Sequence, residues 1–446
     1  MKNVLLIGAG RSSSYLIRYL LDHASTDQYT LTVADVSVEN AKSKTAGHPS
    51  AKAIAFDIQS ETDRVKYISE ADLVISLLPA HMHLPVAKEC VRQKKNLVTA
   101  SYVSAEMNSL DSAAKDGGII LLNECGLDPG IDHMSAMEII DEVHRAGGKV
   151  TSFKSYTGGL VAPESNDNPW GYKFSWNPRN VILAGQGTAR FIENGKYKYI
   201  PYNRLFAAPE IIEVDRHGKF DGYANRDSLS YRKIYNLEDI PTMLRGTLRQ
   251  EGFCKAWNVF VQLGLTDDSY VAEGSGGLSY AELVDALLPE SVKGKNVAER
   301  TAQLLALSSD SPEMKMVEWT GIFGNEKPAL PDSTPAQILQ HLLEQKWKLK
   351  EDDKDMIVMQ HAFEYTIGTK KYRHLSSLVV KGENQVFTSM AKTVGLPAAI
   401  AARLILNGKI NLKGVQIPVK REIYHPILAE LKSFNISFEE KRTEMI

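Results

Sequence analysis

Two glycines spaced by one residue, in Gly8-Ala9-Gly10-Arg11-Ser12-Ser13, follow an apolar run directly and open a helical pattern. Glycine there lets the chain turn tightly and lets a backbone N–H approach a pyrophosphate at a helix N-terminus. The third glycine of the usual fingerprint is Ser13, so the helix should approach the strand slightly less closely. In this setting the motif reads as a dinucleotide-binding turn; elsewhere the same glycines would be plain turn residues. Asp35 closes the second apolar run, 27 positions after Gly8. A carboxylate there can accept from an adenosine ribose 2′-OH and would repel a 2′-phosphate. The nearest basic residue after it is Lys42, so the expected cofactor is NAD, with NADP as the alternative. The competing role for Asp35 is a cap for the next helix.

Three more strings follow apolar runs: Ser76-Leu77-Leu78-Pro79-Ala80, Thr99-Ala100-Ser101-Tyr102 and Gly126-Leu127-Asp128-Pro129-Gly130. In a doubly wound sheet such strand ends line the ligand crevice. Tyr102 and Asp128 are the expected catalytic pair, a phenol and a carboxylate able to pass protons to or from an amine. Proline after Asp128 keeps its backbone out of the helical region; its other reading is an N-cap for a helix beginning near Gly130. His81 and His83 read as loop and helix-start residues. A polar string runs from Ser155 through Asn166–Pro169 and Tyr172–Trp176 to Asn225–Ser228 and Arg245–Arg249. Arginine suits bidentate carboxylate recognition, so Arg226 and Arg249 are expected to grip an acidic substrate, against the alternative of internal ion pairs.

The elements that must position these groups are legible as patterns. Short apolar runs at Val4–Gly8, Tyr29–Asp35, Ala53–Ile58, Leu73–Pro79, Leu97–Tyr102 and Gly118–Asn123 alternate with helical spacing such as Ser12–His23 and Pro85–Gln93. That alternation predicts an α/β fold with a parallel sheet and a Rossmann-type nucleotide domain. Residues 149–233 carry irregular strand-like pieces, including Val150–Tyr156. Helical spacing then dominates: Ile240–Gln250, Ala256–Leu263, Tyr280–Leu288, Val297–Leu307 and Pro335–Lys346. Asp355–Tyr365 and His374–Val380 read as strands around a Gly-Thr-Lys-Lys turn, and Ser389–Leu406 as a final helix packing back on the first domain. The expected domains are 1–127 with 388–446 for the dinucleotide, 128–236 with 348–387 as an α/β substrate domain, and 237–347 as a helical cap.

Composition limits the function classes. A formal net charge of -2 over 446 residues, with 24% charged and 43% apolar residues, gives no sign of a nucleic-acid or acidic-membrane partner. Cys90, Cys125 and Cys254 have no metal spacing and read as free thiols. The N-terminus runs straight into a strand without a signal peptide, and no apolar stretch approaches the roughly 20 residues of a spanning helix. A cytoplasmic enzyme without a metal is expected.

Taken together, the strings SLLP, VTASYV, GLDPGIDHM, IDEVHRAGGK, SYTGGL, PESNDNP, GYKFSW, NRDS, RGTLR, DMIVMQ and SMAKTVGLP resemble the saccharopine dehydrogenase (L-glutamate-forming), or saccharopine reductase, family over nearly the whole chain. The resemblance implies a homodimer whose substrate domain dimerises and whose helical domain closes a cleft. It also implies interconversion of saccharopine with L-glutamate and L-2-aminoadipate 6-semialdehyde in lysine metabolism. It carries substrate contacts to Ser101, Tyr102, Arg226, Thr247, Leu248 and Arg249. It carries cofactor contacts to Ala9, Gly10, Arg11, Ser12, Leu78, Asp128 and Trp176; Gly8, Asp35, Asp57, Ile58, Ala100, Ser101, Leu127 and Pro129 complete the expected cofactor set. Three departures stand out: Thr157 where many relatives carry cysteine, and Ala224 and Trp170 where proline and leucine are expected beside the substrate loops. The rival readings are a reductase joining an aldehyde to an amine to make a carboxylated polyamine, and a non-catalytic dinucleotide-binding protein.

Overall fold

Val4 to Ile7 are at most 1% exposed on both faces of their strand, a pattern that requires cover on both sides of a sheet. The computed structural model describes residues 1–445 and divides into two compact units, residues 1–149 with 378–439 and residues 150–377 with the segment from 440 onward. In the first unit β1 (Lys2–Ile7), β2 (Tyr29–Asp35), β3 (Ala51–Ala55), β4 (Leu73–Ser76), β5 (Asn96–Thr99) and β6 (Ile120–Leu122) form a parallel sheet ordered β6-β5-β4-β1-β2-β3, with Gly414–Gln416 added beside β6. The order reverses at β1, flanked by β4 and β2, which creates the switch point where such folds bind ligands. The third strand stops at Ala55, short of the expected Ile58. Phe56 still donates its N–H to the Asp35 carbonyl at 2.9 Å, and the side chains of Phe56 and Ile58 enter the core under the sheet.

The helix Ser389–Leu406 lies as read from the sequence and packs on Ser14–Ala24. Gly395 makes the close approach: a Cβ there would lie 3.0 Å from the Ser12 carbonyl oxygen and 3.1 Å from the Leu16 nitrogen. At 18 residues this helix is long and apolar enough to cross a membrane by length and composition, closer to that length than the sequence reading allowed, and 78% of it is buried within the fold.

In the second unit the strands are β7 (Lys149–Val161), β8 (Ala189–Glu193), β9 (Lys196–Ile200), β10 (Glu210–Val214), β11 (Gly218–Ala224), β12 (Thr242–Gln250), β13 (Asp355–Ile367) and β14 (Lys370–Lys381). The sheet runs β10-β11-β12-β7-β13-β14 and then Glu439–Met445, with β8 paired to β12 and β9. Here the sequence reading needs correction, because Ile240–Gln250 is not helical: Thr242–Gln250 is a strand, parallel to β7 and antiparallel to β11. Its apolar residues fit a helical face, yet from Leu244 to Arg249 apolar and polar residues alternate strictly, the period of a strand. That alternation puts Arg245, Thr247 and Arg249 on one face and Leu244 and Leu248 on the other. Helices Phe253–Gln262, Tyr280–Ala286, Val297–Leu304, Pro312–Trp319 and Pro335–Lys346 follow, of which Pro312–Trp319 was not anticipated. Trp170 is fully buried, stacked on Phe260 at 5.6 Å between ring centroids, with its indole N–H donating to the Met316 carbonyl at 2.8 Å. It is therefore a core residue, and its departure from leucine is a matter of packing.

Candidate active site

The first unit carries the nucleotide turn. Gly8 has φ +105°, and a Cβ there would lie 3.0 Å from the Leu77 carbonyl oxygen, so no other residue fits without strain. Gly10 is different: its φ is ordinary, and no atom lies within 4 Å of the place a Cβ would take. Its lack of a side chain leaves the space over the turn clear. Ser13 donates through both its N–H and its hydroxyl to the Gly10 carbonyl, at 3.2 and 2.8 Å, and starts the helix. Asp35 accepts the Ala9 N–H at 2.8 Å on one oxygen and the Ser37 N–H at 3.0 Å on the other. The next helix is capped by Ser37, which accepts from Asn40, so the capping role for Asp35 falls away. Its carboxylate is fixed at the end of β2 by the glycine turn itself. A clear approach over Gly10, a helix start behind it and a carboxylate at the neighbouring strand end fit a dinucleotide. Arg11 and Asp57 are exposed, Ser12, Leu78 and Ala100 are partly buried, and Ile58, Leu127 and Pro129 are buried, so the last three act through packing or backbone.

At the ends of β5 and β6 the structure brings Tyr102 and Asp128 together. The phenol, 48% exposed, donates to Asp128 Oδ1 at 2.9 Å. The Asp128–Pro129 peptide is cis. The following helix, Ile131–Arg145, is capped at Gly130 without a side-chain bond, so Asp128 is not its cap. Ser101, beside Tyr102, meets a residue that the sequence reading set aside. His83 is 3% exposed, with Nε2 2.7 Å from Ser101 Oγ and Nδ1 2.8 Å from Ser76 Oγ. Burial, with nearby His81 adding to it, pushes its pKa down to about 4, so this imidazole is a neutral bridge between two hydroxyls at pH 7.

The second unit carries the arginines. Thr157 on β7 and Tyr223 on β11 both pair in register with Thr247 on β12, so they share the face that bears Arg249. Arg249 is 4% exposed, and its guanidinium lies 5.3, 5.8 and 5.6 Å from the ring centroids of Tyr172, Tyr223 and Phe253. Nη1 donates to the Leu248 carbonyl at 2.9 Å, while Nε has no partner among the described residues; Thr157 Oγ1, also buried, has none either. A buried cation facing rings and no carboxylate is costly on its own, and a ligand carboxylate would offset that cost. Thr247 Oγ1 donates to Asn225 Oδ1 at 2.7 Å. Leu248 is fully buried on the opposite face, so any ligand contact there is through its backbone. Arg226 is exposed and makes no ion pair among the described residues. Ala224 is buried at the end of β11, one residue past Tyr223.

Trp176 donates its indole N–H to the Tyr172 hydroxyl at 3.1 Å, and the segment that bears both is pinned by the residue after Tyr172. Lys173 is buried, with Nζ 2.6 Å from Asp353 Oδ2 and 2.9 Å from Asp167 Oδ1. Hydrogen bonds from Lys350 first and Lys173 second hold the Asp167 carboxyl down at about 2. Because the folded value is depressed, this contribution to stability is present above the usual carboxylate range and is lost as pH falls toward 2. Lys173→Met takes the ammonium from between two carboxylates while leaving Asp353 the Lys350 N–H at 2.8 Å, and is expected to cost about 1–3 kcal/mol in urea denaturation at pH 7. The penalty should shrink as the acid limit is approached, and an unchanged midpoint would show that the triad anchors nothing.

A family model described as the saccharopine dehydrogenase NADP binding domain matches residues 4–122, and one described as the saccharopine dehydrogenase C-terminal domain matches residues 126–436. The chain belongs to the saccharopine dehydrogenase family. Among its relatives is saccharopine dehydrogenase [NADP(+), L-glutamate-forming] of Pyricularia oryzae, 36% identical over 450 residues that cover 99% of each chain. The mitochondrial alpha-aminoadipic semialdehyde synthase of Bos taurus is 35% identical over 99% of this chain and 48% of its own length. The apo structure of saccharopine dehydrogenase (L-Glu forming) from Saccharomyces cerevisiae superposes with a TM-score of 0.88 at 34% identity, over 99% of this chain and 100% of that one. Within this saccharopine dehydrogenase fold, sequence reasoning missed Tyr172 and Tyr223 as the walls around Arg249, and His83 as the support of Ser101. Strand alternation on β12 would have put Thr247 and Arg249 on one face, but Tyr223 is placed by pairing of β11 with β12 and Tyr172 lies on no strand, so neither wall was signalled locally. Nothing in the sequence signals His83, since its partners are hydroxyls at the ends of two different strands, β4 and β5.

Proposed function

We propose that this protein interconverts saccharopine and water with L-glutamate and L-2-aminoadipate 6-semialdehyde, with a pyridine nucleotide as the redox partner. The observation that carries the reading is the buried Arg249 guanidinium, which has no carboxylate partner among the described residues, set against a substrate that bears three carboxylates. Family membership over the whole chain supports the same reaction. A bound nicotinamide supplies the hydride acceptor or donor; the chain supplies alignment and proton handling. Oxidation requires a neutral secondary amine, water attack on the imine, and collapse of the carbinolamine, and each step moves a proton. Tyr102 and Asp128, joined at 2.9 Å, are suited to hold the attacking water and pass those protons. Arg249, with Thr247 beside it, is suited to orient a substrate carboxylate, and exposed Arg226 to add a second grip.

The nucleotide is read as NAD. The support is the Asp35 carboxylate, fixed by two backbone N–H groups at the end of β2, where it accepts from a ribose 2′-OH and opposes a 2′-phosphate. The relatives' names carry NADP(+), so Asp35 is the residue on which this preference turns.

Asp128→Asn removes a proton acceptor while keeping the volume. It should lower kcat by about 10²–10⁴-fold and remove one limb of the pH–rate profile, with dinucleotide affinity retained. An unaltered profile would confine Asp128 to holding Tyr102. The reaction itself is tested in the reductive direction, by mass spectrometry of the product from L-glutamate, 2-aminoadipate 6-semialdehyde and reduced nucleotide. Saccharopine is expected; a product formed only when a diamine replaces glutamate would move the reading to a carboxylated polyamine.

A further inference from the structure

Beneath the Tyr102–Asp128 pair lies a buried chain of ionisable groups that the reaction as described does not use. Glu124, two residues past the end of β6, is 4% exposed, and three of its connections matter here. Its N–H donates to the Ser101 carbonyl at 3.0 Å, its Oε1 accepts the Val103 N–H at 3.0 Å, and its Oε2 lies 2.8 Å from His133 Nε2. Two of these connections bracket Tyr102 in sequence. His133 is fully buried on the helix Ile131–Arg145, and its Nδ1 lies 3.4 Å from Asp132 Oδ2. Asp132 in turn accepts the Gly130 N–H on Oδ1 at 2.6 Å, two residues past Asp128. The chain from Glu124 through His133 and Asp132 therefore links the loop that bears Tyr102 to the loop that bears Asp128.

Two further observations mark this as more than packing. Glu124 has φ +56°, a region that side-chain-bearing residues occupy sparsely and that persists only where the surroundings enforce it. Gly130, at φ +147°, would put a Cβ 2.0 Å from the Gly126 carbonyl oxygen, so the Asp128 loop closes on itself at the point that Asp132 grips. Buried imidazole and carboxylate groups are costly unless paired and hydrogen-bonded; here the pairing spans the two loops whose relative position decides whether a phenol meets a carboxylate.

We propose that Glu124 and His133 are positioning residues, which hold Tyr102 and Asp128 at hydrogen-bonding distance and act on the reaction only through that pair. The proposal rests on the reading of Tyr102 and Asp128 as the proton-handling groups. Glu124→Gln keeps an acceptor for the Val103 N–H and changes the group that faces His133. It is expected to lower kcat for saccharopine oxidation by about 10–100-fold, the scale of a misplaced catalytic group, with KM for the nucleotide unchanged. In a Tyr102→Phe background the same change should cost less than about 3-fold, because coupled residues are non-additive. An equal loss in both backgrounds would show that Glu124 acts by general destabilisation and would overturn the proposal. A fluorinated tyrosine at position 102 supplies a readout independent of turnover. Its fluorine resonance should move on Glu124→Gln in ligand-free protein, and an unmoved resonance would also overturn the proposal. If wild-type protein fails to oxidise saccharopine while the resonance moves, the functional reading fails and the positioning inference stands. Should Glu124→Gln not fold, His133→Gln carries the same cycle and the same reporter.

Discussion

Arg249→Met should reduce kcat/KM for saccharopine by about 10²–10⁴-fold while leaving the ligand-free protein as stable as before or more so. The two halves of this expectation come from one observation. Arg249 is 4% exposed; among the described residues its Nε is unpartnered, and Nη1 donates to the neighbouring Leu248 carbonyl. Removing one member of a desolvated charge pair costs about 2–5 kcal/mol in binding, hence the large kinetic loss. In the absence of ligand there is no pair to break. Three aromatic rings at 5.3 to 5.8 Å offset part of the burial cost, at about 0.5–2 kcal/mol each. Replacing a buried ion with an apolar side chain of similar volume is often neutral or stabilising, by about 1–4 kcal/mol. Steady-state kinetics and urea denaturation on the same preparation check both halves. A variant that is less stable yet kinetically normal would make Arg249 a structural residue. Arg249→Lys should recover little activity, because an ammonium lacks the planar fork that meets both carboxylate oxygens.

Asp35→Asn should move the ratio of kcat/KM for NAD over NADP toward NADP by at least about tenfold, without a large change in stability. The asparagine keeps an oxygen for one of the two N–H groups that Asp35 now satisfies, on Ala9 and Ser37, and removes the charge that a 2′-phosphate would meet. A hydrogen bond to a charged group contributes about 1.5–3 kcal/mol, so losing the one to the ribose 2′-OH should weaken NAD as relief of repulsion helps NADP. Asp35→Ala would make the same change while leaving both N–H groups short of an acceptor, and should also lower stability by about 1–3 kcal/mol. A nucleotide preference that does not move in Asp35→Asn would reduce this residue to a tie between two turns.

What the sequence made legible follows the physics of each element. The parallel sheet of the first unit was readable because strands covered on both faces are short apolar runs, and the helices between them are amphipathic. The strands therefore came out in the right order, with C-terminal ends read three residues too long at β3, β4 and β5, and Tyr102 and Asp128 could be paired across 26 residues. Ile240–Gln250 was misread because Ile240, Met243, Leu244 and Leu248 satisfy helical spacing, while only Leu244 and Leu248 of these share a strand face; β7 and β11 on either side decide the matter, and such pairing is not local. That error hid the face that Thr247 and Arg249 share. Glu124 and His133 were hidden for a different reason: a buried polar group looks like any surface residue until its partners are known, and this network joins three separate stretches of chain, at 101–103, 124 and 130–133. Asp35 and Asp128 were each left between a ligand role and a helix cap. The structure removes the cap in both cases, because Ser37 and Gly130 occupy those positions.

The most direct test of the account is the rate of nicotinamide reduction, followed by near-ultraviolet absorbance, when purified protein meets saccharopine with NAD and with NADP in parallel. The account predicts turnover with saccharopine that is faster with NAD than with NADP at equal concentration. No turnover with either nucleotide, in folded protein that still binds a dinucleotide, would contradict it.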